Sequence, residues 1–237
     1  MLNALTVESD VLMAILKLTK EGPVSYESIK QYVRFPSSVL KELLQKLQND
    51  GLVYVRDKIV EVTMLQRIEL AICALSNKGD LNQVSSLLQW KEFEAMAAIA
   101  FENNGYSVIK NLHFKHEGRR NEIDVVGCRK PLVVCVDCKH WHHSIGSATM
   151  ERIVNEQIAR VRALVSSFPH LKINLEIQSW KSARFVPMIL SLVDVKSKFY
   201  SGVPIVSILQ AQDFLNQLPA YVESMSYVDL KKEQTNL

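Results

Sequence analysis

Near the start of the chain Val11, Leu12, Ile15, Leu16 and Leu18 repeat at helical spacing, with Ser9 or Asp10 as a cap and Gly22-Pro23 as the stop. Ser25 caps a short second helix through Val33. Ser37 or Ser38 caps a third, with Val39, Leu40, Leu43, Leu44 and Leu47 turned inward and Gly51 ending it. The stretch LVYVRDKIVEVT then alternates apolar and polar residues about Arg56-Asp57-Lys58, which predicts a hairpin. Residues 64–88 return to the helical period and break at Asn77-Lys78-Gly79. Asp80 with Gln83 reads as a capping box for the second piece, so this region is a helical connector rather than a loose linker.

The second half of the chain changes period. Residues 90–103 form one more helix, with Phe93, Met96, Ala97, Ala100 and Phe101 as its apolar stripe and Gly105 as its stop. Residues 106–114 read as a strand, followed by a basic loop with Lys115, His116, Arg119 and Arg120. Residues 121–140 read as two apolar strands about a turn at Arg129-Lys130-Pro131. A long helix over 147–168 follows, with Met150, Val154, Val161 and Leu164 inward and Gln157 on the same stripe. Residues 184–194 and 203–208 are buried strands, and 211–218 is a helix. Residues 169–183 carry no legible period, and the polar end after Pro219 reads as a loose tail.

The hairpin over 121–140 concentrates the chemistry. Alternation places Glu122 with Asp124 on one face and Asp137 with Lys139 on one face, and folding about the turn brings Asp124 opposite or diagonal to Asp137. Two carboxylates and a lysine on an apolar ribbon need compensation, because like charges repel and buried charges must be paired or bind a metal. Mg²⁺ suits such a place, since it is commonly held by one or two carboxylates plus waters and phosphates. A solvated hairpin with a structural salt bridge is the competing reading. Glu94, at the edge of its helix stripe, is either a surface residue or a third acid of the cluster. Gln157 is either a satisfied core amide or a residue facing the hairpin.

Composition narrows the classes. At 237 residues with 48% hydrophobic and 22% charged residues, the chain is long enough for two domains and ordinary for a soluble protein. No apolar run is long enough for a membrane span, and Glu8 and Asp10 interrupt the N-terminal apolar stretch, which excludes a signal peptide. Net charge is only +3, yet residues 110–139 hold seven Lys and Arg against four acids, a basic rim about an acidic centre that suits a phosphate polymer. Four cysteines suggest no disulfide framework, and a cytoplasmic location is expected. Cys135 and Cys138, with His140, His142 and His143 after them, raise zinc, but residues three apart on a strand point to opposite faces. Trp141 and these histidines form a loop that could line a cleft or stack on a base.

Asp124, then twelve residues, then Asp137-Cys138-Lys139 resembles the signature of PD-(D/E)xK nucleases, and the surroundings resemble the Mrr-type restriction endonucleases. The likeness covers roughly residues 92–218. Ile123, not proline, precedes the first aspartate, a departure that many members share. The resemblance implies an α/β fold, a restriction endonuclease-like mixed sheet flanked by helices, and metal-dependent hydrolysis of DNA phosphodiesters. It implies Asp124, Asp137, the Cys138 carbonyl and Glu94 as ligands of Mg²⁺, with Mn²⁺ as a substitute. Lys139 is implied as the residue that orients water and stabilises charge, and Gln157 as a supporting residue. The basic Lys115, Arg119 and Arg120 are then placed to hold the substrate backbone.

Three helices and a hairpin at the N-terminus resemble a winged helix-turn-helix, which implies DNA contacts through Arg34, Ser37, Ser38, Lys41, Gln45, Arg56 and Lys58. Eight basic against eight acidic residues in 1–64 leave a docking or dimerisation module as the other use. The expected organisation is a winged helix over 1–64, a helical connector over 65–89, a nuclease-like domain over 90–218 and a tail over 219–237. DNA is the expected partner, a homodimer is compatible, and no membrane is involved. A DNA-binding regulator with a non-cutting nuclease-like domain and an RNA nuclease are the alternatives.

Overall fold

The structure is a computed structural model and describes residues 4–77, 79–139, 141, 145–171, 176–192 and 198–231. It divides into two compact units, Met1–Glu92 and Phe93–Leu237.

The first unit runs α1 (Ala4–Leu18), β1 (Val24–Ser25), α2 (Tyr26–Val33), α3 (Ser37–Asn49), β2 (Tyr54–Arg56), β3 (Ile59–Glu61), α4 (Met64–Ser76) and α5 (Leu81–Leu87). Its strands form an antiparallel sheet in the order β1-β3-β2. Leu12, Ile15, Leu16, Ile29, Leu40, Leu47, Val60 and Leu70 are buried together as the periodicity demands, each contributing about 1.5–3 kcal/mol. The Ser25 hydroxyl accepts from the Ser28 amide at 3.1 Å and so caps α2. Two expected caps are not used. No Gly or Pro interrupts residues 4–10, so α1 starts before Ser9 and Asp10 and buries Ser9 inside it. Pro36, not a serine side chain, stands at the N-cap of α3. A buried ion pair joins Arg67 to Glu92, and the rest of the Arg67 guanidinium donates to the Leu16 carbonyl, the Thr19 hydroxyl and the Leu87 carbonyl at 2.7, 2.9 and 2.9 Å.

The second unit contains α6 (Trp90–Asn103), β4 (Ser107–His116), β5 (Arg119–Arg129), β6 (Leu132–Lys139), α7 (Ser147–Ser167), β7 (Ser182–Ser191), β8 (Phe199–Tyr200), β9 (Val203–Ser207), α8 (Ala211–Tyr221) and β10 (Val228–Lys231). Its mixed sheet has the order β4-β5-β6-β7-β9-β8, with β10 also paired to β7. The β4-β5 and β5-β6 pairs are antiparallel hairpins, whereas β6-β7 and β7-β9 are parallel. The chain between β6 and β7 therefore crosses over through α7, as a parallel pair requires. One face of the sheet packs Val126, Cys128, Val133, Cys135 and Phe185 against Val161, Leu164 and Phe168. On the other face Phe101 of α6 packs on Gly127, where an added Cβ would come 2.2 Å from the ring.

Two expectations are corrected here. Lys115, Arg119 and Arg120 sit on paired strand positions rather than in a loop. The turn between β4 and β5 shrinks to Glu117-Gly118, both at positive φ (47° and 77°), which suits the strand twist. The expected loose tail is partly folded. Helix α8 runs through Pro219 to Tyr221, and Val228 and Leu230 alternate onto the core, so β10 pairs antiparallel with β7. Among the described residues no helix is long and apolar enough to cross a membrane.

Candidate active site

The β5-β6 hairpin pairs Val125 with Val136, which sets Asp124 across from Asp137 in the register. On the other side of β5 the ladder is interrupted. Lys110 pairs with Val125 and Leu112 with Ile123, while Asn111, between them and facing Asp124, has φ 52°. Ile123 and Val126 are three apart yet join one hydrophobic cluster, and so do their partners Leu112 and Ile109. On a regular strand residues three apart face opposite sides. The alternation therefore slips at Asp124, where the local backbone is least regular, and local irregularity of this kind gathers at functional positions.

Asp124 is half-buried and accepts a hydrogen bond from the Cys138 amide at 2.7 Å. Burial pushes its carboxyl up to about 6, the Cys138 amide opposes the shift, Asp137 and Glu94 add to it, and Lys139 opposes it. Glu94 of α6 is thus close enough to Asp124 for its charge to be felt. Asp137 is buried between two cations. Its Oδ1 accepts from Nη1 of Arg160 at 2.7 Å, and its Oδ2 lies 2.8 Å from Nζ of Lys139. That second approach is an ion pair by distance only. Its angles fall outside hydrogen-bonding geometry, so Oδ2 has no hydrogen bond among the described residues.

Gln157, fully buried on α7, donates to the Cys135 carbonyl at 2.8 Å and accepts from Arg160 at 3.0 Å. Arg160, which lies on the same helix and which the stripe of Met150, Val154, Val161 and Leu164 does not include, also belongs to the site. The available signal was its spacing, since residues three apart on a helix share a face and Gln157 had already been placed inward. Cys135 packs in the core beside α7, and burial pushes the Cys135 and Cys138 thiols up, leaving them neutral. His140, His142 and His143 lie outside the described residues. Trp141 packs against Met150, Val154 and Ile205 rather than standing open.

The structure brings Asp124, Asp137, Cys138, Lys139, Glu94 and Gln157 into one neighbourhood. Among the described residues it forms no cluster of three or more acid, cysteine or histidine side chains arranged to hold a metal. The remaining candidates lie elsewhere. Lys115, Arg119 and Arg120 are exposed at the far end of the β4-β5 hairpin, with Arg120 about 13 Å along the strand from Asp124. In the first unit Arg34 is exposed at the left-handed C-cap of α2, and Ser38, Lys41 and Gln45 are exposed along α3. Ser37 is half-buried, its carbonyl taking the Tyr26 hydroxyl at 3.2 Å. Arg56 and Lys58 are exposed on the β2-β3 hairpin, where Asp57 and Lys58 make the turn at positive φ.

Residues 86–163 match the model of the Mrr-type catalytic domain, a restriction endonuclease family. An uncharacterized protein of Archaeoglobus fulgidus is 28% identical over 141 residues, which is 60% of this chain and 100% of that protein. Among solved structures, protein VC1899 from Vibrio cholerae is 13% identical with a TM-score of 0.41, over 94% of this chain and 53% of that one. Can2 from Sulfobacillus thermosulfidooxidans, solved with cyclic tetra-adenylate, is 14% identical with a TM-score of 0.37, over 90% of this chain and 51% of that one. The chain spans about half the length of these two solved proteins. The matched segment, lying on a mixed sheet flanked by helices and holding both aspartates and the lysine, supports a restriction endonuclease-like nuclease domain.

Proposed function

We propose that the protein is a metal-dependent DNA endonuclease of restriction or repair type, acting in the cytoplasm. The observation that carries the reading is the pair of carboxylates facing across the β5-β6 hairpin, with Lys139 2.8 Å from an Asp137 oxygen that has no hydrogen bond. A buried carboxylate oxygen that lies beside an ammonium without a hydrogen bond among the described residues fits a divalent cation, and the second carboxyl, pushed up to about 6 by burial, is mostly ionised at neutral pH and gains from a cation's charge. Asp124 and Asp137, with the Cys138 carbonyl and Glu94, would hold Mg²⁺, or Mn²⁺ in its place. Two carboxylates completed by water and phosphate oxygens are an ordinary set for Mg²⁺. The ion would neutralise charge on the phosphoryl group and acidify a bound water.

In the reaction a water oxygen bonds to phosphorus, the bond from phosphorus to the leaving sugar oxygen breaks, and that oxygen takes up a proton. Lys139, one-quarter exposed at the end of β6, donates hydrogen bonds to the attacking water and to a non-bridging oxygen as negative charge grows there. Gln157 fixes α7 to the β6 backbone and supports the site. Lys115, Arg119 and Arg120 grip the backbone away from the cut. The first unit reads as a winged helix in which the end of α2, α3 and the β2-β3 hairpin contact DNA through Arg34, Ser37, Ser38, Lys41, Gln45, Arg56 and Lys58.

The test is cleavage of plasmid, duplex, branched and single-stranded DNA, and of RNA, with Mg²⁺, Mn²⁺ or EDTA, for the wild type, Asp137→Ala and Lys139→Ala. Metal-dependent DNA cutting lost in both variants is expected. Preference for RNA would replace the substrate, and DNA binding without cutting under any condition would turn the reading toward a regulator.

A further inference from the structure

Arg160 contacts Asp137, yet the proposed reaction leaves it without a role. Its guanidinium closes a chain of hydrogen bonds that begins and ends on β6. The Cys135 carbonyl accepts from Gln157, Gln157 Oε1 accepts from Arg160 Nη1 at 3.0 Å, and the same nitrogen donates to Asp137 Oδ1 at 2.7 Å. Both anchors are buried, Gln157 fully and Asp137 with 4% of its surface exposed. On its outer side the guanidinium meets Glu156 at 3.8 Å, and Glu156 is itself paired with Arg152 at 2.8 Å.

The two oxygens of Asp137 are therefore unlike. Oδ1 is held by an arginine that is itself braced, while Oδ2 is near Lys139 but without a hydrogen bond. A carboxylate rotates broadly about its last torsion unless a contact on one oxygen fixes the plane and so the direction of the other. We propose that Arg160 is a positioning residue that pins Oδ1 of Asp137, so that Oδ2 alone is presented to a divalent cation and the Lys139 amine is released to the reacting water. The inference rests on the metal-dependent reading of the site.

The same contact opposes cation binding, because a guanidinium touching a ligand carboxylate repels an incoming cation. Arg160 thus trades metal affinity for carboxylate geometry, and removing it moves two readouts in opposite directions. Arg160→Met should tighten Mn²⁺ binding, measured by electron paramagnetic resonance without nucleic acid, at least threefold. It should slow Mn²⁺-dependent DNA cleavage at least tenfold at saturating metal. Arg160→Lys keeps the charge but lacks the planar fork, with its fixed set of donors, that spans Gln157 and Asp137. It should bind Mn²⁺ within about twofold of the wild type and still cut at least fivefold more slowly.

Thermal melts accompany each variant. A merely structural role would weaken binding and cleavage together, in step with lost stability, and that result, or no change in either readout, overturns the proposal. Asp137→Ala separates the two levels. If wild-type Mn²⁺ binding survives that substitution, the metal reading itself fails and the Arg160 role falls with it. If binding is lost in Asp137→Ala while both Arg160 variants match the wild type, only the Arg160 role falls.

Discussion

The Cys138 amide donates a 2.7 Å hydrogen bond across the hairpin to Oδ2 of Asp124. Burial and two neighbouring acids raise the carboxyl's pKa, this contact and, more weakly, Lys139 lower it, and the sum stands at about 6. The folded state therefore holds the Asp124 proton more tightly than the unfolded chain does. Such a group contributes stability below its unfolded pKa near 3.8, and that contribution is lost as pH rises through about 6.

Asp124→Asn keeps an acceptor for the Cys138 amide and removes the charge. At pH 7.5, without metal, it should raise stability by on the order of 1 to 2 kcal/mol after allowance for partial exposure. The gain should vanish below about pH 3, where the wild-type carboxyl is protonated in both states. Urea denaturation at the two pH values checks this. Nuclease activity should fall by at least about 100-fold in the same variant.

Lys139→Met should cost on the order of 100- to 1,000-fold in cleavage rate with little change in melting temperature, since its side chain is one-quarter exposed and its contact with Asp137 is not a hydrogen bond. Single-turnover kinetics at saturating DNA isolates the chemical step. A loss confined to DNA affinity would reassign Lys139 to substrate binding.

The basic tip of the β4-β5 hairpin makes a separate prediction. Replacing Lys115, Arg119 and Arg120 together by Gln should weaken duplex DNA binding and flatten the dependence of log K on log salt by about 2 to 3. The same triple change at Lys41, Arg56 and Lys58 measures the first unit's share. Titrations across a salt series with catalytically inactive protein give both slopes.

Gly127→Ala places a methyl group against the Phe101 ring, at 2.2 Å before any relaxation. The ring must move, and a cost of about 1 to 3 kcal/mol is expected. Denaturant titration reads it directly.

What could be read from the sequence followed from strong local signals. Alternation about Pro131 was enough to bring Asp124 opposite or diagonal to Asp137, because a hairpin with a short turn has little freedom of register. Helical spacing placed Gln157 inward. Arg160 was lost because charge was taken as a sign of exposure, although an arginine is buried readily where a carboxylate and an amide both await it. The slip of alternation at Asn111 and Asp124 was illegible, since it depends on a backbone setting that asparagine tolerates but does not require. The polar C-terminal stretch concealed Val228 and Leu230, two apolar residues whose burial depends on a distant strand.

Arg67 carries a practical consequence for anyone dividing the chain. Four acceptors drawn from α1, Thr19 just after it, the end of α5 and Glu92 surround its guanidinium. A fragment ending at residue 64 would lack the arginine and both helices that follow, and one ending at 89 would keep the arginine but discard its counter-ion. An uncompensated buried charge costs about 3 to 5 kcal/mol, a large part of what holds a domain of this size together. The shortest N-terminal piece worth expressing by itself therefore extends through Glu92.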